Sequence, residues 1–282
     1  MDAAERGQLI GGPGVIAESA AISPDRFDPR FFALFSWFVR RLLRKSFFAV
    51  RLERESAGVL RALASAPGPA IVALSHPSWW DPLVCVHLSR VFLPRRAPLA
   101  PLDRDQWERF GFMKRIGLFG INPADRKALS PMIEHVLARC ADNPGRVLWI
   151  TPQGRFSDAR EPVVIRPGVA AVAARLRGPT VVALAIEYAF WTDRRPEVFL
   201  RAAPVEPGIS GDASTPGWHR AIQSAMRRNG EELASLVVAR DAGAFECLLG
   251  GGRTRINPVY DLWQSMRGRD GPIHDPRREN AA

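Results

Sequence analysis

An apolar run of four residues pinned between chain breakers, Ile71-Val72-Ala73-Leu74, constrains this chain more than any other stretch. It is too short for a helix and lies between Pro67-Gly68-Pro69 and Pro77, so it reads as a buried strand. His76 then stands at the strand's carboxyl end. Asp81 followed by Pro82 is a helix start, because Asp accepts from the first free amides and Pro fits the first helical turn. A strand, loop and helix start of this length can set an imidazole beside a carboxylate. A carboxylate bonded to one ring nitrogen fixes the tautomer and leaves the other nitrogen free to take a proton, so such a pair is a general base. A plainer reading fits the same residues, with Asp81 as a helix cap and His76 as a polar loop residue. Spacing does not choose between them.

Three further apolar segments repeat the strand pattern, near residue 118, at Arg146 to Ile150 and at Pro179 to Ile186. Helical patterns separate them. Ser130-Pro131 caps a helix to Cys140, Val169 to Leu176 forms another, and Trp218 to Val238 carries Ile222, Met226, Leu233 and Leu236 inward. Asp103 to Arg115 reads as a helix broken at Gly111, and residues 51 to 66 as a strand end and a short helix. Strands alternating with helices predict an α/β domain with a largely parallel central sheet flanked by helices. Sites in such sheets form at the carboxyl ends of the strands. His76, the turn at Arg126 and the run Gln153-Gly154-Arg155 all follow strand ends.

His76-Pro77-Ser78-Trp79-Trp80-Asp81 resembles the His-x-x-x-x-Asp block of the glycerolipid, lysophosphatidate-type acyltransferase family, including the Ser two places after the His. Later stretches resemble that family's other blocks in order, over roughly residues 70 to 190. Gly117 to Arg126 is similar to the second, where an apolar Gly-containing strand leads to an Arg on the acceptor's phosphate, although the spacing to Arg126 is longer. Pro152, Gly154 and Ser157 fit the third, commonly Phe-Pro-Glu-Gly-Thr-Arg-Ser; Gln153 replaces the Glu and Arg155 follows the Gly directly. Arg166-Pro167-Gly168 resembles the basic-x-Gly segment that opens the next helix, and Ala183 stands where the fourth block has Pro.

The resemblance implies an O-acyltransferase. His76 would be the base that deprotonates an acceptor hydroxyl and Asp81 its orienter, with Ser78, Arg126, Gln153, Gly154 and Arg155 at the acceptor. The acyl donor would be a thioester of coenzyme A or acyl carrier protein, a co-substrate, with no metal or redox cofactor. A lyso-phospholipid or related lipid is the expected acceptor, and Gln153 in place of Glu favours one other than lysophosphatidate. A non-catalytic or divergent lipid-binding member of the same fold is the rival reading, and intact His76 and Asp81 argue against it. A serine hydrolase lacks its Gly-x-Ser-x-Gly elbow.

Lys+Arg 39 against Asp+Glu 29, a net charge of +10, implies an anionic partner. No nucleic-acid motif accompanies that charge. Phe31 to Phe48 places Phe31, Phe35, Phe38 and Leu42 at helical spacing beside Arg40, Arg41, Arg44 and Lys45, the composition of a helix lying in an anionic membrane interface. A core helix with a solvated face has the same composition. No apolar run reaches the ~18 residues of a membrane span and the first residues lack a secretory leader. The expectation is thus a protein on the cytoplasmic face of a membrane, peripheral or monotopic. Cys85, Cys140 and Cys247 are far apart and form neither a zinc pattern nor a disulfide framework. The chain divides into a flexible arm at 1–29, an interfacial amphipathic helix at 30–50, an acyltransferase domain at 51–245 and a polar tail at 246–282.

Overall fold

The computed structural model describes residues 22–122, 125–207, 213–251 and 266–267. In chain order these form β1 Ile22–Ser23, α1 Pro29–Ser46, β2 Ala49–Glu53, α2 Arg54–Ser65, β3 Ala70–Leu74, α3 Asp81–Phe92, β4 Ala97–Asp103 and α4 Arg104–Arg109. They continue with β5 Leu118–Ile121, α5 Leu129–Asp142, β6 Arg146–Ile150, α6 Gly168–Arg175, β7 Thr180–Ala189, β8 Glu197–Val205, α7 Thr215–Ala239 and β9 Phe245–Gly250. The strands make one mixed, mostly parallel sheet in the order β1-β5-β4-β6-β3-β7-β8-β2-β9.

β3 is central because it is apolar on both faces. It runs parallel to β6 on one side and to β7 on the other, in the register Val72 to Trp149 and Val72 to Val182. Its even-numbered residues Val72 and Leu74 pack with Val39 and Leu43 of α1, Leu60 and Leu63 of α2 and Leu88 of α3. Ile71 and Ala73 pack on the opposite face with Ile133 of α5, Val169 and Val172 of α6 and Ile222 of α7. Two helical layers thus enclose the sheet, and each fully buried aliphatic side chain contributes about 1.5–3 kcal/mol. The ladder extends one residue past β3, where the Ser75 N–H donates to Leu184 O at 3.1 Å and Ser75 Oγ accepts from the Ile186 N–H at 2.9 Å. There the chain leaves the sheet while β7 runs on to Ala189, so Tyr188 stands over the loop that follows His76.

Several elements depart from the sequence expectation. β4 contains Pro98 and Pro101, which hide it as a strand. Its first half, Ala97 to Leu99, pairs with β6 and its second, Ala100 to Asp103, with β5, so each half keeps an edge where a residue without N–H costs nothing. Gly117 makes the close return possible: at φ +94° an added Cβ would lie 2.1 Å from Pro98 O. The helix expected over Asp103 to Arg115 is two short pieces, α4 and a 3₁₀ turn at Met113–Ile116. α5 begins at Leu129, and Ser130 Oγ bonds Glu134 instead of capping an amide.

Residues 22–28, inside the stretch expected as an arm, are docked. β1 pairs antiparallel with β5, and buried Asp25 accepts from Arg139 through both oxygens at 2.8 Å and from Arg146 at 3.3 Å. Burial would raise that carboxyl, but His135 at 3.5 Å, the hydrogen bonds from Arg139 and the charges of Arg146 and Arg139 hold it well below the usual aspartate range. Residues 1–21 lie outside the described residues. At the other end β9, which begins at the expected domain end and extends into the expected tail, pairs antiparallel with β2.

α1 is rotated relative to the stripe read from spacing. Asp28 caps it, accepting from the Arg30 and Phe31 amides, and its buried line is Ser36, Val39 and Leu43. Phe38 is exposed together with Leu34 and Trp37. On the 100° helical step the cations lie C-terminal along that same outer face, Arg41 being seven residues after Leu34. The exposed surface of α1 is therefore apolar first and basic next.

Candidate active site

The loop after β3 folds back on itself through one carboxylate. Asp81 is buried, and three donors converge on it. His76 Nδ1 lies 2.7 Å from Oδ2, the Ser78 N–H donates to the same oxygen at 3.0 Å, and the Tyr188 hydroxyl donates to Oδ1 at 2.6 Å. An ionised carboxylate only accepts, so Nδ1 carries the proton and Nε2 presents its lone pair. Among the described residues nothing takes Nε2. The imidazole is 18% exposed against 1% for the Asp81 side chain, so this nitrogen faces outward from a buried support.

This geometry removes the cap reading of Asp81. The N-cap of α3 is Trp80, with no side-chain cap bond, and Asp81 is the first helical residue. Its carboxylate turns back toward the loop, where the helix N-terminus also favours a negative charge. Tyr188 was not identifiable from the sequence as part of the site. Burial, then the charge of Asp81 and the hydrogen bond to it, push its phenol well above the ordinary tyrosine value. It is therefore a fixed donor. Cys85, one turn into α3, is buried and its thiol is pushed up by burial and by Asp81, which makes it packing and not a nucleophile.

Aromatic rings flank this unit on two sides. Phe156 covers the imidazole with ring centroids 4.2 Å apart, and the Ser157 N–H donates to His76 O at 3.0 Å, so the loop after β6 is clasped to the loop after β3. On the other side Tyr188, Phe47, Trp80 and Trp79 form a line of rings at 5.6, 5.0 and 4.7 Å, ending in exposed Trp79.

The other residues singled out from the sequence divide. Ser78 serves the loop itself, its Oγ accepting from the Trp80 N–H at 3.3 Å. Gly154 has φ +66°, and an added Cβ would meet Arg166 Nε at 2.7 Å, so the glycine lets a guanidinium lie against the backbone. Arg155 is exposed and donates to Glu161 at 2.6 Å. Gln153 is buried and lines a cleft with Ser75, Asp158, Glu161 and Glu187, on the α7 side of the sheet. Arg126 opens a 3₁₀ turn, Arg126–Ala128, and its side chain lies outside the described residues. Ala183 sits mid-strand, and its carbonyl accepts from Asn229 Nδ2 at 3.1 Å.

A family model described as Acyltransferase matches residues 34–187. The fold is similar to the crystal structure of the 1-acyl-sn-glycerophosphate (LPA) acyltransferase PlsC from Thermotoga maritima, at 17% identity and a TM-score of 0.50, over 73% of this chain and 81% of that one. No curated protein matches this sequence. No helix among the described residues is long and apolar enough to cross a membrane.

Proposed function

We propose that this chain, which belongs to the Acyltransferase family, moves a fatty acyl group from an acyl thioester of coenzyme A or acyl carrier protein to a hydroxyl of a lyso-phospholipid or related lipid. The observation that carries the reading is the His76 Nδ1 to Asp81 bond of 2.7 Å at the carboxyl end of β3, with Nε2 left outward. Nε2 takes the proton of the acceptor hydroxyl as that oxygen attacks the thioester carbonyl carbon. The carbon–sulfur bond then breaks, and the departing thiolate takes the proton from the imidazolium. An ester and a free thiol result. Asp81 stabilises the transient imidazolium and keeps its orientation, and Tyr188 and the Ser78 amide hold Asp81 in place.

Arg155 supplies the acceptor's anion contact in this reading. Its pairing with Glu161 does not oppose that role, because both side chains are exposed, 61% and 42%, and such a pair is worth only about 0–1 kcal/mol. A guanidinium can exchange it for a phosphate at little cost. Arg126 is placed at the acceptor on the family resemblance alone. Gln153 can both donate to and accept from acceptor hydroxyls without carrying charge.

The outer face of α1 supports docking on an anionic membrane, at its cytoplasmic face. Exposed Leu34, Trp37 and Phe38, with Phe110 and Phe112 nearby through the Phe35–Phe112 ring contact of 5.5 Å, give an apolar patch, and Arg40, Arg41, Arg44 and Lys45 continue it as cations. Replacing these four cations by Gln should weaken co-sedimentation with phosphatidylserine-containing vesicles, most strongly at low salt where screening is weakest. Unchanged sedimentation would reduce them to a solvated face.

The reaction itself is tested by supplying a labelled acyl thioester with a panel of lyso-lipids. Label should pass into a diacyl product with at least one acceptor. Release of free fatty acid alone, with every acceptor, would contradict transfer.

A further inference from the structure

We propose that the cleft lined by Gln153 and Glu187 binds a primary ammonium group on the acceptor's headgroup, so that this chain prefers amine-bearing lyso-lipids. The inference rests on the acyltransferase reading above and names the acceptor class for it.

The cleft is small, with room of about 30 Å³, and lies at the carboxyl ends of β3 and β7 beside the segment Asp158 to Val163. Ser75 lines it, and the next residue is His76, about 3.8 Å away between Cα atoms. The cleft and the imidazole therefore sit at the same end of the sheet, where one acceptor molecule can span both. Glu187 forms part of its wall. It is 4% exposed, and Oε2 has no hydrogen-bond partner. An unpaired carboxylate oxygen is costly to bury, so a site that keeps one there is built to receive a donor.

The remaining charges favour a cation. Asp158, Glu161 and Glu187 line the cleft and no Lys or Arg does. Arg160, which is 75% exposed, reaches Glu187 Oε1 only at 3.7 Å. Asp158 Oδ1 accepts from the Arg160 amide at 2.9 Å, and Glu161, paired with Arg155 until a phosphate draws that guanidinium away, is exposed to solvent. Glu187 Oε2 is thus left for a ligand. Burial raises the Glu187 carboxyl above its ordinary range, Arg160 opposes this and Asp158 adds to it, so a bound cation would relieve the site.

The kind of cation follows from the lining. The described residues hold no cluster of three or more acidic, His or Cys ligands for a metal ion. A quaternary ammonium has no N–H to donate and is recognised by aromatic cages, whereas the apolar part of this wall is Val163, Leu184, Ala185, Ile186, Met226 and Leu233. A primary ammonium donates three hydrogen bonds, and Glu187 and the Gln153 carbonyl can accept them. The carboxylate absent at position 153 is in effect present at 187, on the same cleft.

The test is binding of monomeric short-chain lyso-phosphatidylethanolamine, lyso-phosphatidylglycerol and lyso-phosphatidylcholine to the full chain by calorimetry, without acyl donor. The ethanolamine lipid should bind about 10–100-fold more tightly than the other two, the size of one charge-assisted hydrogen bond. Glu187→Gln, which keeps shape and removes a buried charge, should fold as well as wild type and abolish that preference. Glu187→Asp should retain part of it. Equal affinities in wild type, or a preference that survives in folded Glu187→Gln, overturns the proposal. Because no thioester is present, failure of acyl transfer with a Glu187-dependent preference intact would count against the reaction and in favour of the cleft.

Discussion

His76→Ala should lower the rate of acyl transfer by about 10²–10⁴-fold, the usual value of general-base assistance, and leave the protein folded. The second half of this expectation comes from the contacts. Without the imidazole, Asp81 still accepts from the Ser78 amide on Oδ2 and from Tyr188 on Oδ1, so the buried carboxylate is not orphaned. The clasp to the neighbouring loop uses the His76 carbonyl, which alanine keeps. The loss in stability should be that of a single hydrogen bond, about 1–3 kcal/mol. Steady-state transfer rates and a denaturant titration on the same sample check both parts. Full activity in the folded variant would remove His76 from the chemistry.

Replacing Asp81 should separate support from charge. Asp81→Ala leaves three donors facing a void, of which the Tyr188 hydroxyl and the imidazole N–H are held in place by packing. At about 1–3 kcal/mol for each of these two unsatisfied groups, unfolding free energy should fall by roughly 2–6 kcal/mol. Asp81→Asn keeps the shape. Its carbonyl can accept from the loop while its NH₂ faces the Tyr188 oxygen, which accepts as readily as it donates. Stability should therefore change far less than in the alanine variant, while activity falls by about 10²–10⁴-fold because the imidazolium loses its counter-charge. Equal losses of stability in the two variants, with activity retained, would make Asp81 a loop fastener only.

The sequence carried much of this architecture because the central strands are buried on both faces and so read as unbroken apolar runs: β3 and β6 lie within a residue of their expected positions, and β7 starts within one and runs three residues further. The strands it hid are those whose pattern is interrupted for a local reason. β4 holds two prolines on its two free edges. β8 is broken by Arg201, which turns to Asn229 and Glu232 of α7, and by Pro204, opposite Val182. β1 is two residues long and is held mainly by Asp25, a contact no periodicity reveals.

The site shows the same division. His76 and Asp81 are five residues apart, and local spacing was enough to suggest their pairing, although not to distinguish a cap from an orienter. Tyr188 reaches Asp81 from 107 residues away, and its signal lies only in parity: β7 alternates faces, so a tyrosine at 188 shares a face with Leu184 and Ile186 and with the His76 loop. Glu187, one residue earlier, points to the other face for the same reason. A charged residue near the end of an apolar strand is easily taken for the point where the strand meets solvent, and only burial shows otherwise.

The measurement that bears most directly on the reaction is a structure of the chain with a lyso-lipid acceptor and a non-transferable thioester analogue. The acceptor hydroxyl should lie within about 2.6–3.2 Å of His76 Nε2, facing the thioester carbonyl, with Nδ1 still on Asp81. An acceptor hydroxyl bound away from Nε2, with the imidazole unchanged beside it, would contradict the assignment of His76 as the base.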